Sequence, residues 1–366
     1  MKRKVLKRVG IGFGSLIILL VLLFVSVTMI YPAVLRWVNR IDSPPGIDAM
    51  EVVEIGGIPQ ALYFRGQDVE NPVVLFIHGG PGFPVRPFLH DFQYAWEEYY
   101  TIVHWDQRNV GETFFLSDPE VVLETLSFDR ILADAYEVTQ YIRERLGQDR
   151  IIVLGYSWGS VVGTALVQTY PQYFSAYIGV GQAVNFREAE HIGFEALLQA
   201  VRDGGNGNHI ASVEALAPYP PNRPFDEDLL SQMFEVRLWQ TRYGLAWGGG
   251  FRTTFLALTS PHSSSQASQW LARDNTRYHI PLFRFLVDEF DARDFGTTFE
   301  IPMFFIMGEW DYQTPHIVAR EFYEEISAPH KAFFLIPNAG HGAMHDNAPE
   351  FNRVLLEEIR PLIMAG

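Results

Sequence analysis

Ile151-Ile-Val-Leu-Gly-Tyr-Ser-Trp-Gly159 is the stretch on which the reading of this chain turns. Ile151–Leu154 is a continuous apolar run, the pattern of a strand buried on both faces. It breaks into Gly155-Tyr156-Ser157-Trp158-Gly159, after which Val161–Tyr170 reads as a helix. A serine with glycine two residues to either side, set between strand and helix, sits on a turn too sharp for neighbouring side chains. The turn holds its hydroxyl exposed at the strand tip. Ser157 is therefore the candidate nucleophile.

Working outward, the same strand-then-helix pattern recurs. Met50–Ile55 and Gln60–Phe64 read as short strands joined at Gly56-Gly57. Pro72–Ile77, Thr101–Trp105, Tyr177–Val180, Met303–Met307 and Ala332–Ile336 read as buried strands. Phe128, Ile131, Leu132, Ala135, Val138, Ile142 and Leu146 recur at helical spacing, and Phe351–Ile363 is a further helix. Buried strands alternating with helices predict an α/β fold with a mostly parallel sheet covered on both faces. The alternation fails over residues 185–295, a helix-like region broken by Gly204-Gly205-Asn206-Gly207 and Pro218-Tyr219-Pro220-Pro221. We read it as a helical cap inserted into one domain whose core comprises residues 41–184 and 296–366.

Three more motifs follow predicted strands. His78-Gly79-Gly80-Pro81-Gly82 ends the strand at Ile77, and its small residues let backbone N–H groups approach a substrate carbonyl. Gly80 and Trp158, the residue after the serine, are the candidate donors to an oxyanion. The loop does not match G-x-x-x-x-G-K-[ST], which argues against a phosphate loop. Gly308-Glu309-Trp310-Asp311 places Asp311 just past a strand end, where a carboxylate could orient a histidine; Glu309 is the nearby alternative. Asn338-Ala339-Gly340-His341-Gly342 puts His341 in a small-residue loop from which it could serve as base and then acid. His345 lies four residues on, but Gly342 stands where a zinc-binding H-E-x-x-H helix has glutamate, so no metal is expected. Ser157, Asp311 and His341 in that order, each just after a buried strand, are the arrangement of a serine hydrolase of the α/β-hydrolase type.

Composition narrows the alternatives. The 366 residues are 48% hydrophobic and 19% charged, as in a folded protein, and contain no cysteine. A thiol nucleophile, a disulfide framework and a thiolate metal site are thereby excluded. The net charge is −15, and without the five basic residues of the first eight, 23 basic residues face 43 acidic ones, a net of −20. A field of that sign repels phosphate backbones, so nucleic acid is not an expected partner.

Those basic residues (Lys2, Arg3, Lys4, Lys7, Arg8) precede an uncharged run from Val9 to Leu35, long enough to cross a bilayer as a helix. The basic excess predicts an amino terminus on the cytoplasmic side, with residues from about 40 onward on the other. Tyr31 and Trp37 stand where an interfacial aromatic belt belongs. No small-x-small cleavage site follows the run, and it is long for a signal-peptide core, so residues 1–40 are read as an uncleaved anchor. Residues 41–47, Ile-Asp-Ser-Pro-Pro-Gly-Ile, read as a linker.

The run His78-Gly-Gly-Pro-Gly82, then Asp106-Gln107-Arg108, then Gly155-Tyr-Ser-Trp-Gly159 resembles the proline iminopeptidase (prolyl aminopeptidase) family over roughly residues 50–365. The resemblance implies a triad of Ser157, Asp311 and His341 and oxyanion donors Gly80 and Trp158. It further implies release of amino-terminal residues, often proline, from short peptides without a cofactor. In that family cap glutamates hold the substrate ammonium, and Glu188, Glu190 and Glu195 are the candidates here. One departure is Asn109, where the family usually has glycine after D-Q-R. Two other functions fit the sequence: a membrane-anchored esterase or amide hydrolase of small or lipid-like substrates, suggested by Trp239, Trp247, Phe251 and Phe255 in the cap, and a catalytically silent binding module.

Overall fold

The computed structural model describes residues 2–246 and 251–365, so Trp247 lies outside the described residues. Eight strands form one sheet among them: β1 (Ile47–Ile55), β2 (Ile58–Gly66), β3 (Val73–Ile77), β4 (Thr101–Asp106), β5 (Ile151–Tyr156), β6 (Phe174–Val180), β7 (Met303–Gly308) and β8 (Lys331–Ile336). Their order is β1-β2-β4-β3-β5-β6-β7-β8, with β2 antiparallel to both its neighbours, β1 and β4, and every other pair parallel. Every residue of β3, β5 and β7 is buried, whereas the edge strand β1 alternates along its length. That difference is what two-sided cover predicts for central strands against an edge.

The amino-terminal helix runs through α1 (Lys2–Val25), a π-helical turn at Ser26–Ile30 and α2 (Tyr31–Val38). After β4 come α3 (Pro119–Glu124) and α4 (Phe128–Leu146), and β5 leads into α5 (Trp158–Thr169). On one sheet face Leu75, Val103 and Val153 pack with Ile131 and Val138 of α4, Leu166 of α5 and Phe322. On the other, Val74, Phe76, Ile152 and Phe304 pack with Phe92, Trp96, Phe351 and Ile359. Helix α4 begins at Ser127, whose side chain accepts from the Arg130 N–H, and it buries the apolar stripe read from its spacing.

The segment from Asn185 to Asp291 holds α6 (Phe186–Asp203), α7 (Gly207–Glu214), α8 (Glu227–Arg242), α9 (Phe251–Thr259), α10 (Ser265–Leu271) and α11 (Ile280–Asp288). Its two ends meet at a β-bridge between Asn185 and Asp291, so it leaves and rejoins the core at one place. It carries its own apolar cluster, centred on Phe194, Leu197, Leu229 and Val236. Helix α12 (His316–Glu325) follows β7, and α13 (Ala343–Asp346), α14 (Ala348–Arg353) and α15 (Arg360–Met364) close the chain after β8.

The stretch read as a linker is short and tied down. Ser43–Gly46 form a hydrogen-bonded turn and Ile47 already belongs to β1. The Arg65 guanidinium, buried between Glu97 and Asp48, also donates to the Asn39 carbonyl. A Pro-Pro-Gly sequence signals a turn, but the partners that anchor it come from residues far along the chain.

Candidate active site

Ser157 stands at the tip of β5 as the residue before α5, with φ 54° and ψ −119°. That is a costly conformation for a residue with a Cβ. The glycines around it are dictated by space. A Cβ at Gly159 would collide with the Ile77 carbonyl, and one at Gly155 with the backbone of Gly159 and Ser160. The Ser157 N–H donates to the Val180 carbonyl at 2.9 Å, which pins the turn to β6.

His341 lies in the loop after β8 and Asp311 in the loop after β7, neighbouring strands whose ends converge on the serine. His341 Nδ1 is 2.9 Å from Asp311 Oδ2, and His341 Nε2 is 2.9 Å from Ser157 Oγ. With the proton on Nδ1 donated to Asp311, Nε2 is free to accept from the serine hydroxyl. Asp311 is buried and also accepts from the Gln313 and Thr314 N–H groups at 2.9 Å and from the Thr314 hydroxyl at 2.8 Å. Burial alone would raise its pKa, but His341 and the Thr314 bonds together hold it below the usual carboxylate range. Glu309 instead accepts from the Asn338 N–H at the surface.

Gly80 and Trp158 line the same cavity as Ser157 and His341, a space of 390 Å³. Trp158 is the first residue of α5, so its N–H has no intrahelical carbonyl to bond and points with the positive end of the helix dipole. Gln107, which the sequence offered only as part of the D-Q-R run, touches both loops, one through its backbone and the other through its side chain. The Gln107 N–H donates to His78 Nε2 at 3.4 Å, and Gln107 Oε1 accepts from the Trp158 indole at 3.1 Å. Arg108 donates to the buried carboxylate of Asp134 on α4 and to the Gly56 carbonyl. The D-Q-R run thus links the loop of residues 78–82, the first residue of α5 and the amino-terminal hairpin. Asn109 takes φ 57°, a left-handed value that asparagine tolerates, so it can stand at a position where the resemblance implies glycine.

Helical residues form the cavity's other walls, among them Phe186, Met233, Phe234, Trp270 and Phe283. The three candidate glutamates are not among the residues that line this cavity. Glu190 is buried, ion-paired with Arg237 and hydrogen-bonded by the Tyr219 hydroxyl, so its carboxylate is already satisfied. Glu195 is exposed on α6, and Glu188 sits in the first turn of that helix near Arg293. The charged groups that do line the cavity are Arg237, Arg273 and Asp274. His345, the other histidine of the metal alternative, bonds Asp91 at 2.8 Å.

Residues 72–348 match the family described as alpha/beta hydrolase fold. Among curated proteins, "Probable aminopeptidase YbaC" of Bacillus subtilis is 26% identical over 315 residues, covering 82% of this chain and 93% of that one. "Probable proline iminopeptidase" of Leptolyngbya boryana is 26% identical over 302 residues, covering 80% and 88%. Among solved structures, a proline iminopeptidase-related protein from Thermus thermophilus has a TM-score of 0.60 at 21% identity, covering 87% of this chain and 100% of that one, and so shares the fold. A match over most of the chain, on a sheet of this order, makes the protein a member of the α/β-hydrolase fold family and an enzyme of that superfamily.

Proposed function

We propose that the protein is a serine hydrolase of aminopeptidase type that releases amino-terminal residues from short peptides and is held at a membrane by its amino-terminal helix. The observation that carries the reading is the unbroken chain from Ser157 Oγ through His341 to Asp311, with 2.9 Å at each link. Ser157 attacks the scissile carbonyl while His341 Nε2 takes its proton. The Gly80 and Trp158 N–H groups hold the oxyanion. His341 then protonates the leaving amine, and water, activated by the same imidazole, releases the acyl group. Asp311 stabilises the imidazolium throughout. Residues 185–295 act as the cap over this site. Relatives named as aminopeptidases support the substrate class.

The membrane reading rests on Ser15–Val38, 24 residues whose most apolar 18-residue stretch has a mean hydropathy of 2.6 and is almost unburied. A soluble domain would not leave Leu16–Phe24 in water. The basic tail ahead of them supports an amino terminus in the cytoplasm and a catalytic domain outside.

A substrate panel tests the peptidase reading on the full-length, detergent-solubilised protein. Prolyl and alanyl anilides are expected to be cleaved, and acetylation of their amino group to lower kcat/KM by about 100-fold or more. Equal turnover of blocked anilides and nitrophenyl esters would favour a second reading, an esterase or amide hydrolase. Arg237 and apolar walls in the cavity, in place of glutamates, are the observation on that side. Gln107 gives a further check. Gln107→Ala keeps the backbone bond to His78 and removes the bond to the Trp158 indole, so it is expected to lower kcat by about 10-fold with little change in KM. An unaltered kcat in folded protein would show that the brace is idle.

A further inference from the structure

The amino-terminal helix is not a loose tether, and the way it meets the cap carries an inference that rests on the membrane reading above. Helix α9 packs against Ser26–Ile30, and the Arg36 guanidinium on α2 donates to the Pro261 carbonyl at 2.7 and 3.1 Å, just beyond the end of α9. The level of that contact in a bilayer follows from length. The uncharged run starts at Val9, and about 20 residues at 1.5 Å each cross a hydrocarbon core of about 30 Å. Counted from Val9 the helix leaves the core near residue 28, and counted from Ser15 near residue 34, so α9, packed on Ser26–Ile30, is held at or just inside the exit.

Helix α9 is suited to such a place. Phe255 is 40% exposed and Leu258 52%, beside Trp37 at 66% on the stem. No Asp, Glu, Lys or Arg occurs from Thr253 to Ala272, in a chain that is 19% charged. Arg252, just before that stretch, turns its charge inward to Asp91 and Asp346 at 3.1 and 3.0 Å. An uncharged segment with outward Phe and Leu, fixed to a spanning helix at its exit, is the surface a lipid interface covers.

We infer that α9 lies in the outer interfacial layer of the bilayer, with Phe255 and Leu258 immersed, so that the cap is seated on the membrane. The same uncharged stretch continues into α10, whose Trp270 and Leu271 wall the cavity above Ser157. The lipid surface thereby becomes part of the surroundings of the substrate site.

The absence of cysteine makes the test direct. Leu19→Cys, Phe255→Cys, Leu258→Cys and Leu238→Cys, the last on α8 with Leu238 72% exposed, are each spin-labelled in the full chain. Each is placed in phosphatidylcholine/phosphatidylglycerol nanodiscs, and collision with oxygen is compared with collision with a water-soluble nickel chelate. The labels at 255 and 258 are expected to favour oxygen several-fold more than the label at 238, and less than the label at 19. Labels at 255 and 258 that behave like 238, while 19 is lipid-like, overturn the seating and leave the span standing. A water-like label at 19 overturns the span and the seating with it. Shielding of 255 and 258 from both reagents means that protein covers them, and overturns the lipid assignment.

Discussion

Ser157→Ala is expected to lower kcat/KM on every anilide and ester the protein cleaves by about 10⁴-fold or more. The loss is chemical, because the substitution removes the Oγ that stands 2.9 Å from His341 and little else. The turn survives, since its hydrogen bond to Val180 and its glycine contacts are made by backbone. Alanine accepts the same positive φ at similar cost. The melting temperature should therefore stay within a few degrees, while a fluorophosphonate probe is expected to label the native chain and not the variant. His341→Ala should cost about as much, and the double variant little more than either single one, because the two groups act as a unit. Activity within tenfold of wild type would place the nucleophile elsewhere. Full hydrolysis by Ser157→Ala, with Asp311→Asn equally active, would remove serine chemistry from the reading altogether.

The residues of this candidate site are the most legible part of the chain, for a physical reason. A side chain offered at the tip of a buried strand needs small neighbours, so the local sequence around Ser157, Asp311 and His341 carries the constraint within five residues. The strands are legible for a similar reason: two-sided burial leaves no polar alternation in β3, β5 or β7. What sequence does not show is pairing over long distance. Glu190 looks like any helical acid until Arg237, from α8, and Tyr219, from the proline-rich turn before it, close on it. Nothing local distinguishes it from Glu195, which faces water five residues later. The D-Q-R run is visible as a signature, but not as the brace between His78 and Trp158 that Gln107 provides. Residues 41–47 read as a linker from their Pro-Pro-Gly run, but the ties on either side of the approach to them, from Arg65 to Asn39 and from Arg36 to Pro261, join residues far apart in sequence and leave no local signal.

Acid is expected to destabilise the fold well above the carboxylate range. Four histidines are buried as neutral imidazoles, and burial lowers the pKa of each from 6.5: His78 to about 4, His104 and His279 to about 3, and His262 lower still. Three have partners suited to the neutral ring. His78 bonds the Gly79 carbonyl, His104 the Gln93 side chain, and His262 the hydroxyls of Tyr63 and Tyr94. Neither ring nitrogen of His279 has a hydrogen-bond partner among the described residues. The sign follows from proton counting. Below pH 6.5 the unfolded chain binds protons at these four sites and the folded chain does not, so stability falls as pH falls until the folded values are reached. At pH 5 each imidazole contributes a loss of up to about 2 kcal/mol, against a total stability of about 5–15 kcal/mol for a typical fold. Asp106 runs the other way, because burial pushes its carboxyl up to about 6, but it returns only about 1 kcal/mol at that pH. The melting temperature should accordingly drop by up to about 10 °C between pH 8 and pH 5. His279→Leu, which removes one titrating group and breaks no hydrogen bond among the described residues, should reduce that slope by about a quarter. A melting temperature flat from pH 8 to pH 5 would mean that the imidazoles are protonated in the folded chain, and would refute their burial as neutral groups.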